Sequence, residues 1–193
     1  MARKKASQLA EALNDKTIVR FSSPYEPGWT DCYVLDIGSE FFLLSVIDDN
    51  QKFNGFQCSR ISDVRRMRVP APYADFVLAA LLKLGQRINS KPDIDLSSLP
   101  ALLKSANALF PLVTIHRGRM KPDECVVGKV LDISESNLLL RTIDPGAVWD
   151  EKPSKFRLSD ITRVDFGGGY EEALHLVGGK PKPLKNSKRL GKL

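Results

Sequence analysis

Two histidines, three cysteines and a basic C-terminal run are the side chains of this 193-residue chain with the widest chemical range. Nucleophilic and acid–base catalysis need a nucleophile, a base within reach and usually a group that orients the base. His116 falls on an expected strand and His175 on an expected helix, and neither belongs to a local pattern that builds such a set. No catalytic residue is assigned, and the chain is expected not to be an enzyme. Cys32, Cys58 and Cys125 are odd in number, far apart and without a Cys-x-x-Cys pair, which suits neither a disulfide framework nor a zinc ribbon. No metal ligand and no cofactor-binding residue is assigned, and a reducing, cytoplasmic setting is expected. Gly167-Gly168-Gly169 lacks the lysine and Ser/Thr of a phosphate loop. Glu171 and Glu172 already fill the first turn of the helix that follows, where an anion would otherwise sit, so a flexible strand-to-helix joint is expected.

Binding chemistry is better represented. Lys180, Lys182, Lys185, Lys188, Arg189 and Lys192 crowd the last fourteen positions without an acid. Such a segment, expected to be disordered when free, can neutralise phosphates of RNA or DNA regardless of sequence, or it can simply solubilise the terminus. It holds no aromatic ring on which a base could stack. Val148-Trp149 lies in the turn-rich stretch Pro145–Pro153, and Tyr25 and Trp29 lie in or beside the stretch Ser22–Gly28. These side chains could meet a protein partner, or fold back over their own domain. Asp36, Asp48, Asp132 and Asp144 fall at strand ends, where a carboxylate bonds nearby backbone N–H groups, and are expected to be turn residues.

The net charge of +6 is smaller than the nine basic residues contributed by Arg3, Lys4, Lys5 and the tail, so the body between them is mildly acidic. No apolar run approaches the roughly 20 residues that span a bilayer, and no membrane contact is expected. Met1-Ala-Arg-Lys-Lys is followed by Ala6-Ser-Gln-Leu-Ala rather than a long apolar core, so no signal peptide is expected.

The elements that must carry these residues occur twice. Residues 35–48 and 131–144 share 7 of 14 identities at a constant spacing of 96, and 56–64 matches 156–164 at 4 of 9 with a spacing of 100. An internal duplication follows, with four extra residues in the second copy. The expected division is a first helix–strand–helix unit at 1–88, a polar linker at 89–97, a second unit at 98–179 and the tail at 180–193. In the first unit, helix 4–14 precedes strands near 18–21, 30–37, 41–47, 53–59 and 61–69, then a helix at 73–88. The continuous apolar run Phe41–Ile47 predicts burial on both faces. In the second, a helix capped by Ser97 or Ser98 and running to Leu109 precedes strands near 112–116, 124–133, 137–143, 154–159 and 162–166. The Ser-x-Ile-x-x-Val elements at 59–64 and 159–164 read as one-turn corners before the last strand. Five short strands with such a corner predict a small closed antiparallel barrel in each unit.

Val127-Gly128-Lys129-Val130-Leu131-Asp132-Ile133-Ser134-Glu135-Ser136-Asn137-Leu138-Leu139-Leu140 resembles the first motif of the Sm-like small β-barrel superfamily, with Gly128, Val130, Ile133 and Leu139 near its glycine and apolar positions. The resemblance implies two tandem Sm-like five-stranded barrels flanked by helices. Ser134 and Leu138 stand where RNA-binding members carry an acidic residue and an asparagine, and neither 56–64 nor 156–164 has their Arg-Gly pair, so the family's RNA site is not implied. The resulting expectation is a binding module without enzymatic activity that contacts RNA or DNA. A protein–protein adaptor or self-assembling module is the alternative.

Overall fold

The computed structural model describes residues 2–183. The order is α1 (Ala2–Asp15), β1 (Ile18–Ser22), β2 (Thr30–Ile37), β3 (Phe41–Ile47), β4 (Phe53–Arg60), β5 (Arg66–Arg68) and α2 (Ala74–Lys83) in the first half. The second half holds α3 (Leu99–Leu109), β6 (Val113–Arg117), β7 (Lys121–Ile133), β8 (Asn137–Thr142), β9 (Ser154–Arg157), β10 (Arg163–Phe166) and α4 (Gly169–Gly178). Short 3-10 turns at Ile61–Asp63 and Leu158–Asp160 precede β5 and β10.

The ten strands form one open antiparallel sheet in the order β5-β1-β2-β3-β4-β10-β6-β7-β8-β9. This corrects the expectation of two closed five-stranded barrels: the molecule is a mixed α/β fold with a single sheet. The reason lies in the edge of β4. Closing the first unit would require β4 to reach β5, but β4 pairs with β10 of the second half instead, through Phe56↔Phe166, Gln57↔Asp165, Cys58↔Val164 and Ser59↔Arg163. Strand β5 is three residues long and pairs with β1, and β9 pairs with β8. The apolar pairs Phe56–Phe166 and Cys58–Val164 lock the junction, with Phe110 joining the two rings in an aromatic cluster.

Burial on both faces of β3 follows from the same junction. Phe42 and Leu44 enter one core with α1, Val19, Phe21 and Val34. Phe41 and Leu43 enter another with α3, Val113, Ile115, Leu138, Leu140 and Val164. Each fully buried Leu or Phe here contributes about 1.5–3 kcal/mol relative to exposure. The stretch expected to be a polar linker supplies Ile94 and Leu96 to that second core. Leu96 lies so close to Gly38 that a Cβ there would stand 2.7 Å from the Leu96 carbonyl oxygen, and Lys91 pairs with Asp36 at 2.8 Å.

The two halves share strand register in detail. Hairpin β2–β3 shifts register between Val34 and Asp36, and β7–β8 shifts between Val130 and Asp132, at the same spacing of 96. The turn carboxylates behave alike as well. Asp48 accepts the Asn50 and Lys52 N–H groups, and Asp144 accepts those of Gly146 and Val148. The corners are where the sequence match misleads. Arg60-Ile61-Ser62-Asp63 and Arg157-Leu158-Ser159-Asp160 form the two turns, so the corners correspond at a spacing of 97 rather than 100. The stretch Pro145–Pro153 is therefore no four-residue insertion, since Trp149 bridges Ile143 as Phe53 pairs with Ile47.

Candidate nucleic-acid interface

Two corners of the sheet occupy corresponding positions and are built differently. In the first half, Arg66 at the start of β5 pairs with Ser22 at the end of β1, and Arg68 pairs with Arg20. Chain direction at this corner is set by Glu26-Pro27-Gly28-Trp29. Proline suits the second position of a type II turn, and Gly28 takes φ 90° at the third, a left-handed conformation that side chains resist. The turn delivers Trp29 to the start of β2 with 40% of its surface exposed and the Arg68 guanidinium 5.2 Å from its ring centroid. An open cleft of about 200 Å³ lies between this turn and the start of β5, lined by Ser22, Glu26, Pro27, Trp29, Arg65 and Arg66 among others. Among the described residues, Arg65, Arg66 and Arg68 enter no ion pair. The neighbouring Arg20 does, with Asp31 at 2.5 Å.

In the second half the corresponding arginine is Arg163, at a spacing of 97 from Arg66. It donates from Nε to Asp165 at 2.8 Å, from Nη2 to the same carboxylate at 2.6 Å, and from Nη1 to Glu26 of the first half. His116 Nε2 lies 2.9 Å from Asp165. Burial pushes the Asp165 carboxyl up, but Arg163 and the His116 hydrogen bond outweigh it and hold it below the ordinary carboxylate range. Burial lowers the Arg163 guanidinium, and its two carboxylate partners more than restore it. Strand β4 covers the flank of this corner, with Gln57 donating to Ser59 at 2.8 Å. The corner supplies its own counter-charges to Arg163.

The sequence-derived candidates fall in four places. Tyr25 is locked between the halves: Arg119 donates to its hydroxyl at 3.0 Å and to the Asp63 carboxylate at 3.2 Å, and a Cβ on Gly118 would stand 2.4 Å from the Tyr25 Cβ. Trp29 belongs to the open corner. Trp149 is half-buried with Leu112, Val127, Ile143 and Leu174, and its indole N–H donates to the Gly178 and Gly179 carbonyls, while Val148 is exposed. Lys180 and Lys182 are exposed just beyond α4. Lys185, Lys188, Arg189 and Lys192 lie outside the described residues.

The register also brings together residues that no local pattern joins. Cys125 stands opposite His116 on β7, beside Asp165, as a thiol–imidazole–carboxylate set. Burial and then the Asp165 charge push the Cys125 thiol up, the reverse of what a nucleophile needs. Cys32 and Cys58 are buried, and burial pushes both thiols up. Among the described residues no group of three His, Cys, Asp or Glu side chains could hold a metal ion, and no helix is long and apolar enough to cross a membrane. The Gly167–Gly169 joint is packed rather than free. Gly167 lies against the Phe110 ring, Gly168 against Gly55, and Asn54 accepts the Gly169 N–H at 2.8 Å. A second hollow of about 340 Å³ on β7 and β8 is lined by Glu124, Asp144 and Asp150 and, among the described residues, by no lysine or arginine.

Comparison with protein-family models, with curated protein sequences and with solved structures finds no match.

Proposed function

We propose that this chain is a non-enzymatic binding protein that contacts nucleic acid through the open corner of its sheet, with Lys180, Lys182 and the rest of the basic tail adding phosphate contacts. The observation that carries the reading is the cluster Arg65, Arg66 and Arg68 around an exposed tryptophan, free of ion pairs among the described residues. Arginines in such a setting meet phosphate in a fork geometry and stack on rings. The reading treats the chain as a duplicated module whose strand succession is related to the Sm-like pattern, working in the cytoplasm. It gives the two copies different tasks: one corner joins the halves and the other binds.

The test is fluorescence anisotropy with a labelled single-stranded RNA and a duplex DNA, comparing the full chain with a chain ending at Gly179. Binding that weakens steeply between about 50 and 200 mM salt is expected of phosphate contact, with part of it retained in the shortened chain. Absence of binding by both chains at low salt contradicts the reading.

A protein–protein adaptor is the second reading, favoured by α2. Val77 and Leu81 are buried under it, but Tyr73, Phe76, Leu78, Leu82 and Leu84 are exposed along and around the same helix. Exposed apolar side chains flanking a buried stripe are a feature that docking surfaces share. Light scattering over a range of concentrations is expected to show association that Phe76→Lys with Leu82→Lys abolishes.

A further inference from the structure

We infer that the open corner is a single-stranded nucleic-acid site in which a base stacks on Trp29 while Arg66 and Arg68 hold the flanking phosphates. The inference rests on the nucleic-acid reading and names its ligand and its seat.

The closed corner shows what this arrangement of strands requires. Arg163 is held by Asp165 two residues along its own strand and by Glu26 from the turn before β2. At the open corner Arg66 takes the place of Arg163, but Arg68 takes the place of Asp165. The internal counter-ion has become a second cation. A corner with this geometry and the opposite charge is complementary to an external anion. Residues two apart on a strand are separated by about 6.8 Å, so the pair spans more than one phosphate and favours a polyanion over a lone phosphate.

Trp29 narrows the class further. At the spacing of 96, Cys125 stands where Trp29 does, so the indole is a second change between the corners, beside Ser22 in the place of His116 opposite the arginine. One side of the ring carries the Arg68 guanidinium and the residue remains exposed beside the cleft. A flat base completes a guanidinium–indole–base stack, and bases are free for that in a single strand but not in a duplex. Glu26, the one carboxylate lining the cleft among the described residues, is already engaged by Arg163, so it does not repel phosphate as a free charge would.

The experiment is tryptophan fluorescence of a Trp149→Phe chain, in which Trp29 is the remaining indole, titrated with oligouridylate, with uridine monophosphate and with duplex DNA. Oligouridylate is expected to quench Trp29 strongly, and Trp29→Ala to weaken anisotropy-measured binding roughly tenfold while Trp29→Phe largely restores it. Arg66→Ala with Arg68→Ala is expected to lower the salt slope by about 1.4, at roughly 0.7 per phosphate contact on a single strand. Oligouridylate binding with unchanged emission and no effect of Trp29→Ala overturns the stacking site and leaves phosphate contact standing. Quenching as strong by the mononucleotide or by duplex overturns the single-strand assignment. No binding of any probe at low salt overturns both this inference and the nucleic-acid reading.

Discussion

Arg66 and Arg163 stand at the same step of corresponding strands and meet opposite surroundings. Arg163 lies in the middle of the sheet, flanked by β4 and β6, with Asp165, Glu26 and His116 around it. Arg66 lies on an edge strand, flanked only by β1, with Arg68 and Trp29 beside it. Covering a charged corner with a neighbouring strand excludes water and makes each unpaired charge expensive, so the covered corner carries its own counter-charges. The edge corner remains solvated and tolerates a surplus. Charge at a strand edge also discourages pairing with another sheet, and the opposite edge repeats the device with Lys155 and Arg157 on β9.

Breaking each corner separates the two roles. Arg163→Ala leaves Glu26 without its partner and Asp165 with His116 alone, and is expected to cost about 3–5 kcal/mol in urea unfolding. Arg66→Ala should lie within about 0.5 kcal/mol of the parent, because it removes a solvated edge charge. Equal losses from the two substitutions would erase the distinction. The junction that covers the inner corner is open to a backbone test at Gly55. Its φ of 72° and the 2.5 Å approach of a Cβ to the Gly168 nitrogen leave no room for a side chain. Gly55→Ala is expected to destabilise by at least about 1–3 kcal/mol, read as a fall in the urea midpoint.

Charge reversal sharpens the comparison from the other side. Arg68→Asp gives the open corner the charge order of the closed one, an arginine followed two residues later by a carboxylate. Oligonucleotide binding is expected to fall more than tenfold while the thermal midpoint moves by no more than a few degrees, about 0.5 kcal/mol at most. A smaller effect should appear as pH dependence. The Asp165 carboxyl is held below its ordinary range in the folded chain, so its contribution is complete above the unfolded value of about 3.9 and is lost as pH falls through the folded value beneath it. Thermal midpoints followed from pH 6 downward should therefore drop below about pH 4 in the parent, and Asp165→Asn should lack that part of the drop.

Local elements were readable because local rules decide them. Phe41–Ile47 reads as a doubly buried strand from its unbroken apolar run, and Ser98 caps α3 by accepting the Ala101 N–H at 3.3 Å. Asp48 and Asp144 read as turn residues because the turn they close is two to four residues long. The joining of the halves was not readable. Whether β4 meets β5 or β10 depends on contacts about a hundred residues apart, such as Phe56 with Phe166, which leave no periodicity in the chain. The corner match at a spacing of 100 aligned Ile61 with Ile161, whereas the fold aligns Arg60-Ile61-Ser62-Asp63 with Arg157-Leu158-Ser159-Asp160. The open corner carried a signal in the chain: Arg65, Arg66 and Arg68 crowd four consecutive positions without an acid among them. Its meaning appears only when β5 is placed at the sheet edge beside Trp29.

The most direct test of that division of labour is a backbone amide NMR titration with oligouridylate. Shifts are expected to concentrate at residues 22–29 and 65–68, with residues 113–117 and 163–166 of the closed corner unmoved. Shifts concentrated on α2 or on the closed corner, or none at low salt, would contradict it.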